Sequence, residues 1–493
     1  ASDVYKRQEE MAQSIVNEFL RTAERLTNLG LSYLSLDRAG STLSNGELQR
    51  VQISRAVRSD TTGVLYVLDE PSIGLHPYNV DGLMKIVREL VDRKNSVVLV
   101  DHDPRILMDA DQLIEIGPGA GKEGGRIVTQ GTPLEAEKNP YSLIGPYLSG
   151  KESLKVRSRA TEKDMFENGS IRIKTKPFYT VKALDVSIPK GRMIAVTGVS
   201  GSGKTSLVIE CLVPALQAVI QGTKLPEHVD SIEAKGIQSV KVIDSKPIGA
   251  NVRSTVATYD GVFDDLRKLF ARTADAKAKG LTAGDFSYNT GKLRCPVCDG
   301  TGIITMDVQF LPDVDTICPS CGGSRYGKDA YDILWKSKEK DSVSVSLPGL
   351  LKLTVEEAAG ILHEETKIAK QLKILQDLGV CYLTLGEATP ALSGGEAQRL
   401  KLAYEMETPQ QGSVFVFDEP TIGLHPQDVK KLVLIFDHLI QLGATVIVIE
   451  HDLELVTNCD YIIDMGPWGG TEGGRVVVEG TPEAVAATSE SIT

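Results

Sequence analysis

The chain has 493 residues, a formal net charge of −12 and 41% hydrophobic residues. This length suits two or three domains of a soluble globular protein. No signal peptide is expected, and no apolar run approaches the roughly 18 residues of a membrane span. The acidic balance excludes a broadly basic nucleic-acid coat, so any contact with DNA must come from a local patch.

The sequence contains two copies of one motif set. The first copy has LGLSYLSLDRAGSTLSNGELQR, VLYVLDEPSIGLHP and VLVDHD, and the second has LGVCYLTLGEATPALSGGEAQR, VFVFDEPTIGLHP and VIEHD. They resemble the signature, Walker B and histidine motifs of ATP-binding cassettes, so we predict a duplicated α/β motor. Three pairs of positions keep a spacing of 349 residues: Ser44 and Ser393, Asp69 and Asp418, and His102 and His451.

The elements of the first copy alternate between helices and strands. Residues Gln13–Leu29 and Val80–Val91 have apolar positions at helical spacing. Residues Val64–Leu68 and Ser96–Val100 are short, β-branched runs, as buried parallel strands are. This alternation predicts a doubly wound α/β sheet, and we place the first domain at residues 1–150.

The first copy has no phosphate loop, because only 43 residues precede Ser44. We therefore expect a copy that begins in mid-domain, with one complete nucleotide site in the chain and one half-site that contains Asp69, Glu70 and His102. A sheet that lacks the strand before the loop would expose apolar surface, so residues 1–150 are predicted to be the less stable part. Adding an upstream segment should then restore the binding of a second nucleotide.

A charged, aperiodic stretch at residues 151–170 is predicted to link the first domain to a second domain at residues 171–493. There the apolar MIAVTG, a glycine-rich turn and the helix-forming SLVIECL make a Walker A phosphate loop, whose glycines let backbone N–H groups wrap a phosphate. The residues predicted to bind nucleotide in this loop are Gly198, Ser200, Gly201, Ser202, Gly203, Lys204, Thr205 and Ser206.

The remaining ATPase residues follow in the order expected of a cassette. Lys204 is predicted to reach the β- and γ-phosphates, and Thr205 and Asp418 to coordinate magnesium. Glu419 is placed to orient or deprotonate the attacking water, and His451 suits a γ-phosphate sensor. The predicted catalytic residues are therefore Lys204, Glu419 and His451.

Each signature is expected to close the site of the opposite copy. The ATP held by Lys204 would be closed by Ser44 and Gly46 of the first signature, where Asn45 replaces the usual glycine. Asparagine tolerates a left-handed backbone better than other non-glycine residues, so the turn is expected to survive. The second signature would close a site on the first copy through Ser393, Gly394 and Gly395.

Four of the seven cysteines form two CxxC pairs, which favours metal binding in a reducing cytoplasm over disulfides. The spacing is that of a structural zinc ribbon, and we place this insertion at about residues 284–330. A redox pair or an iron–sulfur site is the alternative, whereas Cys211, Cys381 and Cys459 are expected to be small core residues. The predicted zinc ligands are Cys295, Cys298, Cys318 and Cys321.

Upstream of these cysteines, residues 253–294 interleave basic and aromatic side chains. Such a pattern is compatible with a nucleic-acid surface. Five aspartates lie in the same stretch, so an ordinary solvated face is the alternative.

From about residue 13 to 485 the chain resembles the UvrA family of DNA-damage-recognition ATPases of bacterial nucleotide excision repair. The resemblance implies a cytoplasmic, dimeric ATPase that uses ATP, Mg²⁺ and Zn²⁺, binds double-stranded DNA and passes lesions to a UvrB-like helicase partner. The family marks, beside the two Walker B runs, are GVSGSGKTSL, PIGANVRSTVATYDGVFD, FSYNTGKLRCPVCDGTG, FLPDVDTICPSCGGSRY, IGPGAGKEGGRIV and MGPWGGTEGGRVV.

Some positions depart from the family pattern. Ser245 stands where the family has the glutamine that contacts magnesium and water, and Asp101 stands where the second copy has Glu450. These changes suggest a divergent branch. The alternative hypotheses are a non-repair DNA-binding protector against DNA-binding drugs, or the cytosolic ATPase of another system.

Overall fold

The computed structural model describes residues 2–43, 45–57, 61–72, 74–119, 124–150, 156–249, 251–306, 314–337, 343–406 and 408–493, with residues 2–10 and 45 described by their backbone alone. The chain divides into two compact units. The core unit contains Ala1–Pro118, Gly125–Asp244 and Gln410–Thr493, and the inserted unit contains Gly119–Gly124 and Ser245–Pro409. The domain boundaries given above remain predictions.

Seventeen strands are present among the described residues. In chain order they are β1 Leu65–Asp69, β2 Ser96–Val100, β3 Leu113–Gly117, β4 Arg126–Gly131, β5 Ser170–Thr175, β6 Asp185–Pro189, β7 Met193–Thr197, β8 Val229–Glu233, β9 Ser239–Ile243, β10 Ile303–Met306, β11 Val314–Ile317, β12 Leu334–Lys336, β13 Ser344–Ser346, β14 Ser413–Asp418, β15 Thr445–Ile449, β16 Tyr461–Gly466 and β17 Arg475–Gly480.

The α-helices among the described residues are, in chain order, α1 Ser2–Asn28, α2 Asn45–Ala56, α3 Pro77–Asp92, α4 Pro104–Met108, α5 Pro133–Lys138, α6 Gly145–Leu148, α7 Val213–Gln221, α8 Val256–Tyr259, α9 Val262–Ala271, α10 Ala274–Ala278, α11 Leu347–Leu351, α12 Val355–Ile361, α13 Thr366–Asp377, α14 Gly394–Met406, α15 Pro426–Gln441, α16 Leu453–Val456 and α17 Pro482–Ala486. Among these helices none combines the length and apolarity needed to cross a lipid bilayer.

The core unit is built around a six-stranded sheet in the order β17-β16-β7-β15-β14-β9. Strand β7 lies in its middle, fully buried, and pairs in parallel with both β15 and β16. A second, antiparallel sheet in the order β6-β5-β8 belongs to the same unit. Because the carboxyl ends of parallel strands share one edge, β7, β14 and β15 deliver their C-terminal residues to one site.

The described residues of the first half of the core unit repeat part of this layout. Strands β1 and β2 pair in parallel, β3 and β4 pair antiparallel, and the two pairs form separate sheets. A shift of 349 residues maps them onto β14, β15, β16 and β17. Strand β7, which joins β15 to β16, has no counterpart among the described residues of the first half.

This difference changes the burial of one apolar face. Six side chains on β1, β2 and β3 are 47–69% exposed: Leu65, Val67, Val98, Val100, Ile114 and Ile116. Their counterparts are at most 1% exposed: Val414, Val416, Ile447, Ile449, Ile463 and Met465. The buried set packs with Leu207, Val208 and Cys211 of the segment after the phosphate loop. The exposure agrees with the apolar surface expected for residues 1–150.

Part of the predicted linker lies on the core unit. The Arg157 guanidinium is 3.0 Å from the buried Asp460 carboxylate and 2.9 Å from Asp437, and the Ala160 amide donates to Asp460. Residues 151–155 lie outside the described residues. At least residues 156–160 therefore have fixed contacts.

The inserted unit contains helices α8–α14 and two hairpins, β10–β11 and β12–β13. In the first hairpin β10 and β11 pair antiparallel between the two cysteine pairs, and residues 307–313 lie outside the described residues. The aromatic residues expected in a basic surface mostly pack inside: Phe263, Phe270, Phe286 and Tyr288 are at most 4% exposed.

Candidate nucleotide site and metal centre

The phosphate loop begins directly after β7 and has three glycines in the left-handed region. The φ angles are +124° at Gly198, +77° at Gly201 and +98° at Gly203. A Cβ on Gly198 would lie 1.9 Å from the Met465 carbonyl oxygen, so side chains are excluded both by conformation and by space. The backbone is therefore shaped to present N–H groups to an anion.

The helix after the phosphate loop begins with π-helical geometry. Residues Ser206–Leu212 form a π-helix that continues into α7. The side chain of Thr205, at the start of this helix, is exposed and therefore accessible to a metal ion. The sequence predicts a helix here but not its π geometry, which is rare and often found at functional sites.

Lys204 and Ser202 are polar groups buried in the loop. The Lys204 ammonium donates to the carbonyl oxygens of Gly198 and Val199, at 2.8 and 2.9 Å. Burial lowers the pKa of Lys204 to about 8, although the Glu419 and Asp418 carboxylates oppose that shift. The Ser202 hydroxyl is fully buried and has no hydrogen-bond partner among the described residues. A buried hydroxyl without a partner is costly, so this cradle suits a polar ligand such as a phosphate.

The Walker B carboxylate Glu419 follows β14 at a strained position, with a φ of +48°. Its Oε1 is 3.4 Å from Nε2 of His451, which follows β15. Burial raises the pKa of Glu419 and lowers the pKa of His451 well below its usual value, and the nearby Lys204 charge lowers both. His451 is therefore a neutral imidazole at physiological pH, and its Nδ1 has no partner among the described residues.

Glu450, between β15 and His451, organises this turn. Its carboxylate accepts from the Thr421 amide at 3.0 Å and from the His451 amide at 2.7 Å. Burial raises the pKa of Glu450 to about 8. Glu450 thus links the loop after Walker B to the histidine loop.

Gly74, in the IGLHP segment of the first half, contacts this site. The Gly74 carbonyl oxygen accepts from the Ser200 hydroxyl at 3.1 Å and from Nη1 of the buried Arg50 at 3.3 Å. A Cβ on Gly74 would lie 3.3 Å from Oε2 of Glu419. The loop after the first Walker B motif therefore covers the phosphate loop and the glutamate of the second half.

His76 of the same segment also contacts the site. It caps α3 by accepting from the Tyr78 amide, and its ring meets His451 edge to face at 5.8 Å between centroids. Burial and the neighbouring His451 lower the pKa of His76 to about 3, so this ring is neutral as well.

The two signatures are placed differently. In the first signature Gly46 and Glu47 are buried in the core unit, while Ser44 and the Asn45 side chain lie outside the described residues. The second signature lies in the inserted unit, where the Ser393 amide donates to Glu396 at 2.7 Å. There α14 begins with Gly394 and Gly395.

The predicted half-site has the same local construction as the complete one. Glu70 has a φ of +45°, and its Oε1 is 4.0 Å from Nδ1 of His102. Asp101 accepts from the Ser72 hydroxyl at 3.0 Å and from the His102 amide at 2.8 Å, as Glu450 does in the second copy. Asp69 ends β1, as Asp418 ends β14.

The nucleotide site leads to a direct binding prediction. Replacing Lys204 with alanine should weaken ATP binding at least tenfold, because the loop loses its only lysine while its backbone is kept. Equilibrium binding should give about one nucleotide per chain for the unchanged protein. The exposed Lys224 offers a matched control, and a stoichiometry near two that Lys204→Ala only halves would contradict a single complete site.

The four predicted zinc ligands form one cluster in the inserted unit. All four sulfur atoms lie within 4.8 Å of one another, with 4.0 Å between Cys295 and Cys318 and 3.7 Å between Cys298 and Cys321. Zinc–sulfur bonds of about 2.3 Å in a tetrahedron require sulfurs about 3.8 Å apart, so the cluster fits zinc. Burial opposes ionisation of Cys295, but backbone N–H groups at Cys298 and Val297 lower its pKa to about 7.

Purified protein is expected to contain one zinc ion per chain, measured by elemental analysis. Cys295→Ala should lose most of the metal, because three ligands close the site poorly. Cys381→Ala, a substitution of a half-buried cysteine outside the cluster, should keep it. Less than half an equivalent of zinc in reduced, chelator-free protein would contradict the prediction.

The basic residues of the 253–294 stretch are mostly paired. Arg267 pairs with Asp264, Lys268 with Asp265, Lys279 with Asp332, Lys292 with Asp285, and Arg253 and Arg294 with Asp299. Together with the buried aromatics, this pairing favours the ordinary solvated face over a stacking surface for nucleic acid.

Sequence patterns did not single out Tyr33, Arg50, Gly74 or His76 as site residues. The contacts of Tyr33, Gly74 and His76 with the second half join positions more than 120 residues apart, and Arg50 donates to Gly74. The available signal was the repeat itself, since each has an identical counterpart 349 residues later: Tyr382, Arg399, Gly423 and His425.

Comparisons with known proteins agree with this architecture. The UvrABC system proteins A of Staphylococcus aureus (strain COL) and Aquifex aeolicus (strain VF5) are each 43% identical to this chain. The alignments cover 100% and 98% of this chain, respectively, and 51% of each relative. The crystal structure of UvrA2 from Deinococcus radiodurans is 38% identical, with a TM-score of 0.90 over 99% of this chain and 58% of that one. No family model matches the chain.

The chain spans about half the length of the curated relatives it matches. The TM-score confirms the predicted α/β fold with tandem ATPase halves, and the four-cysteine cluster lies in the predicted insertion. The chain is therefore UvrA-like over its whole length.

Proposed function

We propose that the chain binds and hydrolyses ATP at a composite site made by both halves of the core unit. The second half supplies the phosphate loop, Asp418, Glu419 and His451, and the first half supplies the cover. The observation that carries this proposal is the bond from the Ser200 hydroxyl to the Gly74 carbonyl, because it joins the phosphate loop of one copy to the Walker B segment of the other.

The residues of this site have complementary roles. The loop N–H groups and Lys204 hold the phosphates, and Thr205 and Asp418 would hold Mg²⁺. Mg²⁺ supplies positive charge that offsets charge on the transferring phosphoryl group. Glu419 orients the attacking water and takes its proton, and the neutral His451 is positioned by Glu450 to donate a hydrogen bond to the γ-phosphate.

We further propose that ATP turnover serves binding of damaged double-stranded DNA in nucleotide excision repair, with a UvrB-like helicase partner and a homodimeric assembly. The match to UvrABC system proteins A over 98–100% of this chain supports this role over the drug-protector and other-ATPase alternatives. The zinc module is proposed to shape a surface, since its four sulfur atoms would all be used in holding the metal.

The test is ATP turnover by the purified chain with no DNA, with intact duplex and with the same duplex carrying one bulky lesion. We expect turnover to change with DNA and to change more with the lesion. Lys204→Ala should remove turnover under all three conditions. Equal ATP turnover under all three conditions would contradict the repair role, and only the proposed ATPase activity would remain.

A further inference from the structure

The phosphate loop has a ring packed on it that belongs to none of the nucleotide-binding motifs. The ring is that of Tyr33, which lies between α1 and α2 in the first half. A Cβ built on Gly201 would lie 2.6–2.8 Å from three atoms of the Tyr33 ring. Cβ atoms on Gly469 and Gly470 would lie 3.2 Å from Tyr33 as well. Three glycines of the second half therefore form a seat for this one side chain.

The seat is part of the nucleotide site. The Gly470 amide donates to the Gly201 carbonyl at 3.1 Å, which ties the loop after β16 to the phosphate loop. Gly469 has a φ of −82°, which any residue adopts, so its conformation does not require glycine. A side chain there would instead meet Tyr33 and the Ser200 carbonyl oxygen. The first copy has Ala120 at the equivalent position, so the glycine is particular to the half that seats the ring.

The other end of Tyr33 holds the first signature. Its hydroxyl donates to Oε1 of the buried Glu47 at 2.6 Å, and Glu47 is in the first turn of α2. Burial and the Glu47 carboxylate raise the pKa of Tyr33, so the hydroxyl stays protonated and able to donate. One turn further along α2, Arg50 donates to Gly74. The start of α2 is thus fixed at two points.

We propose that Tyr33 is a positioning residue of the composite ATPase site, seating its ring on Gly201, Gly469 and Gly470 and holding Glu47 so that the first signature lies over the phosphate loop. Tyr33 touches no reacting atom. Tyr33 fixes the position of the first half on the phosphate loop. Lys204 and the loop N–H groups that bind ATP all belong to the second half. Losing Tyr33 should therefore lower kcat and leave ATP affinity almost unchanged.

Steady-state ATP turnover in the full chain separates this role from a general structural one. Tyr33→Ala removes the ring and the hydroxyl and should lower kcat at least tenfold, with KM within about threefold of the unchanged protein. Tyr33→Phe keeps the ring and should lower kcat about threefold. Tyr382→Phe is the matched control, because it removes the same hydrogen bond, from Tyr382 to Glu396, in the second copy. It should leave kcat unchanged.

An unchanged kcat in Tyr33→Ala, or equal losses in Tyr33→Phe and Tyr382→Phe, would overturn the inference. Zinc content and thermal unfolding report whether each variant is folded. If Tyr33→Ala does not fold, the isosteric Phe pair decides alone. The inference rests on the proposed ATP site, and Glu419→Gln distinguishes the two: normal turnover in that variant rejects the site, whereas normal turnover in the Tyr33 variants alone rejects only the role of Tyr33.

Discussion

Replacing Glu419 with glutamine should lower ATP turnover at least a hundredfold and leave ATP binding intact. The carboxylate lies 3.4 Å from Nε2 of His451; burial raises the pKa of Glu419, and the nearby Lys204 charge opposes that shift. Glutamine keeps the shape but cannot take a proton from water, and phosphoryl transfer depends on such positioned groups. Turnover and equilibrium nucleotide binding, measured on the same sample, check both parts.

The matched control for this prediction is Glu70→Gln in the half-site. Glu70 has the same backbone conformation and the same place after its strand, with no phosphate-loop lysine in its own copy. Turnover should stay within about threefold of the unchanged chain. Equal losses in Glu419→Gln and Glu70→Gln would contradict the assignment of water activation to Glu419 alone.

The second prediction with a large effect concerns the free energy of unfolding, and it compares two isoleucines at equivalent positions of the two copies. Ile463 on β16 is fully buried, and Ile114 on β3 is 58% exposed. Ile463→Ala should lower the free energy of unfolding by about 2–5 kcal/mol, because it leaves a cavity in a packed core. Ile114→Ala should change it by less than about 1 kcal/mol.

Urea unfolding of both variants measures the difference. A cost of several kcal/mol for Ile114→Ala would mean that the exposed face is covered in solution. Self-association that weakens in Ile114→Ala would identify a second copy of the chain as the cover. Equal small costs for both variants would contradict the burial of β16.

Much of the core unit could be predicted from the sequence because its signals are local. The strand predicted at Ser96–Val100 has those bounds, and the helix predicted at Val80–Val91 is α3, Pro77–Asp92. Strands and phosphate loops depend on runs of neighbouring residues, and the 349-residue repeat doubles each signal. The four cysteines were predictable for the same reason, since metal ligands in CxxC pairs have a fixed spacing.

Contacts between distant segments could not be predicted in this way. The aromatic residues Phe270 and Phe286 are interleaved with charges in the sequence but are buried, because tertiary packing and not composition decides which side chains point inward. Tyr33 has an unremarkable local sequence, and its contact with Gly201 bridges 168 positions. Such contacts depend on how the two copies pack, which periodicity does not encode.

The two Walker B glutamates are covered reciprocally. A Cβ on Gly74 would lie 3.3 Å from Oε2 of Glu419, and a Cβ on Gly423 would lie 3.2 Å from Oε1 of Glu70. Each carboxylate is therefore shielded by a loop of the opposite copy. The exposed fraction of the side chain is 31% at Glu70 and 27% at Glu419, so each cover is partial. A rotation that parts the copies would expose both carboxylates further in the same movement. Water access to the two glutamates is thus a single shared variable, and a nucleotide that holds one site closed would limit that access at both.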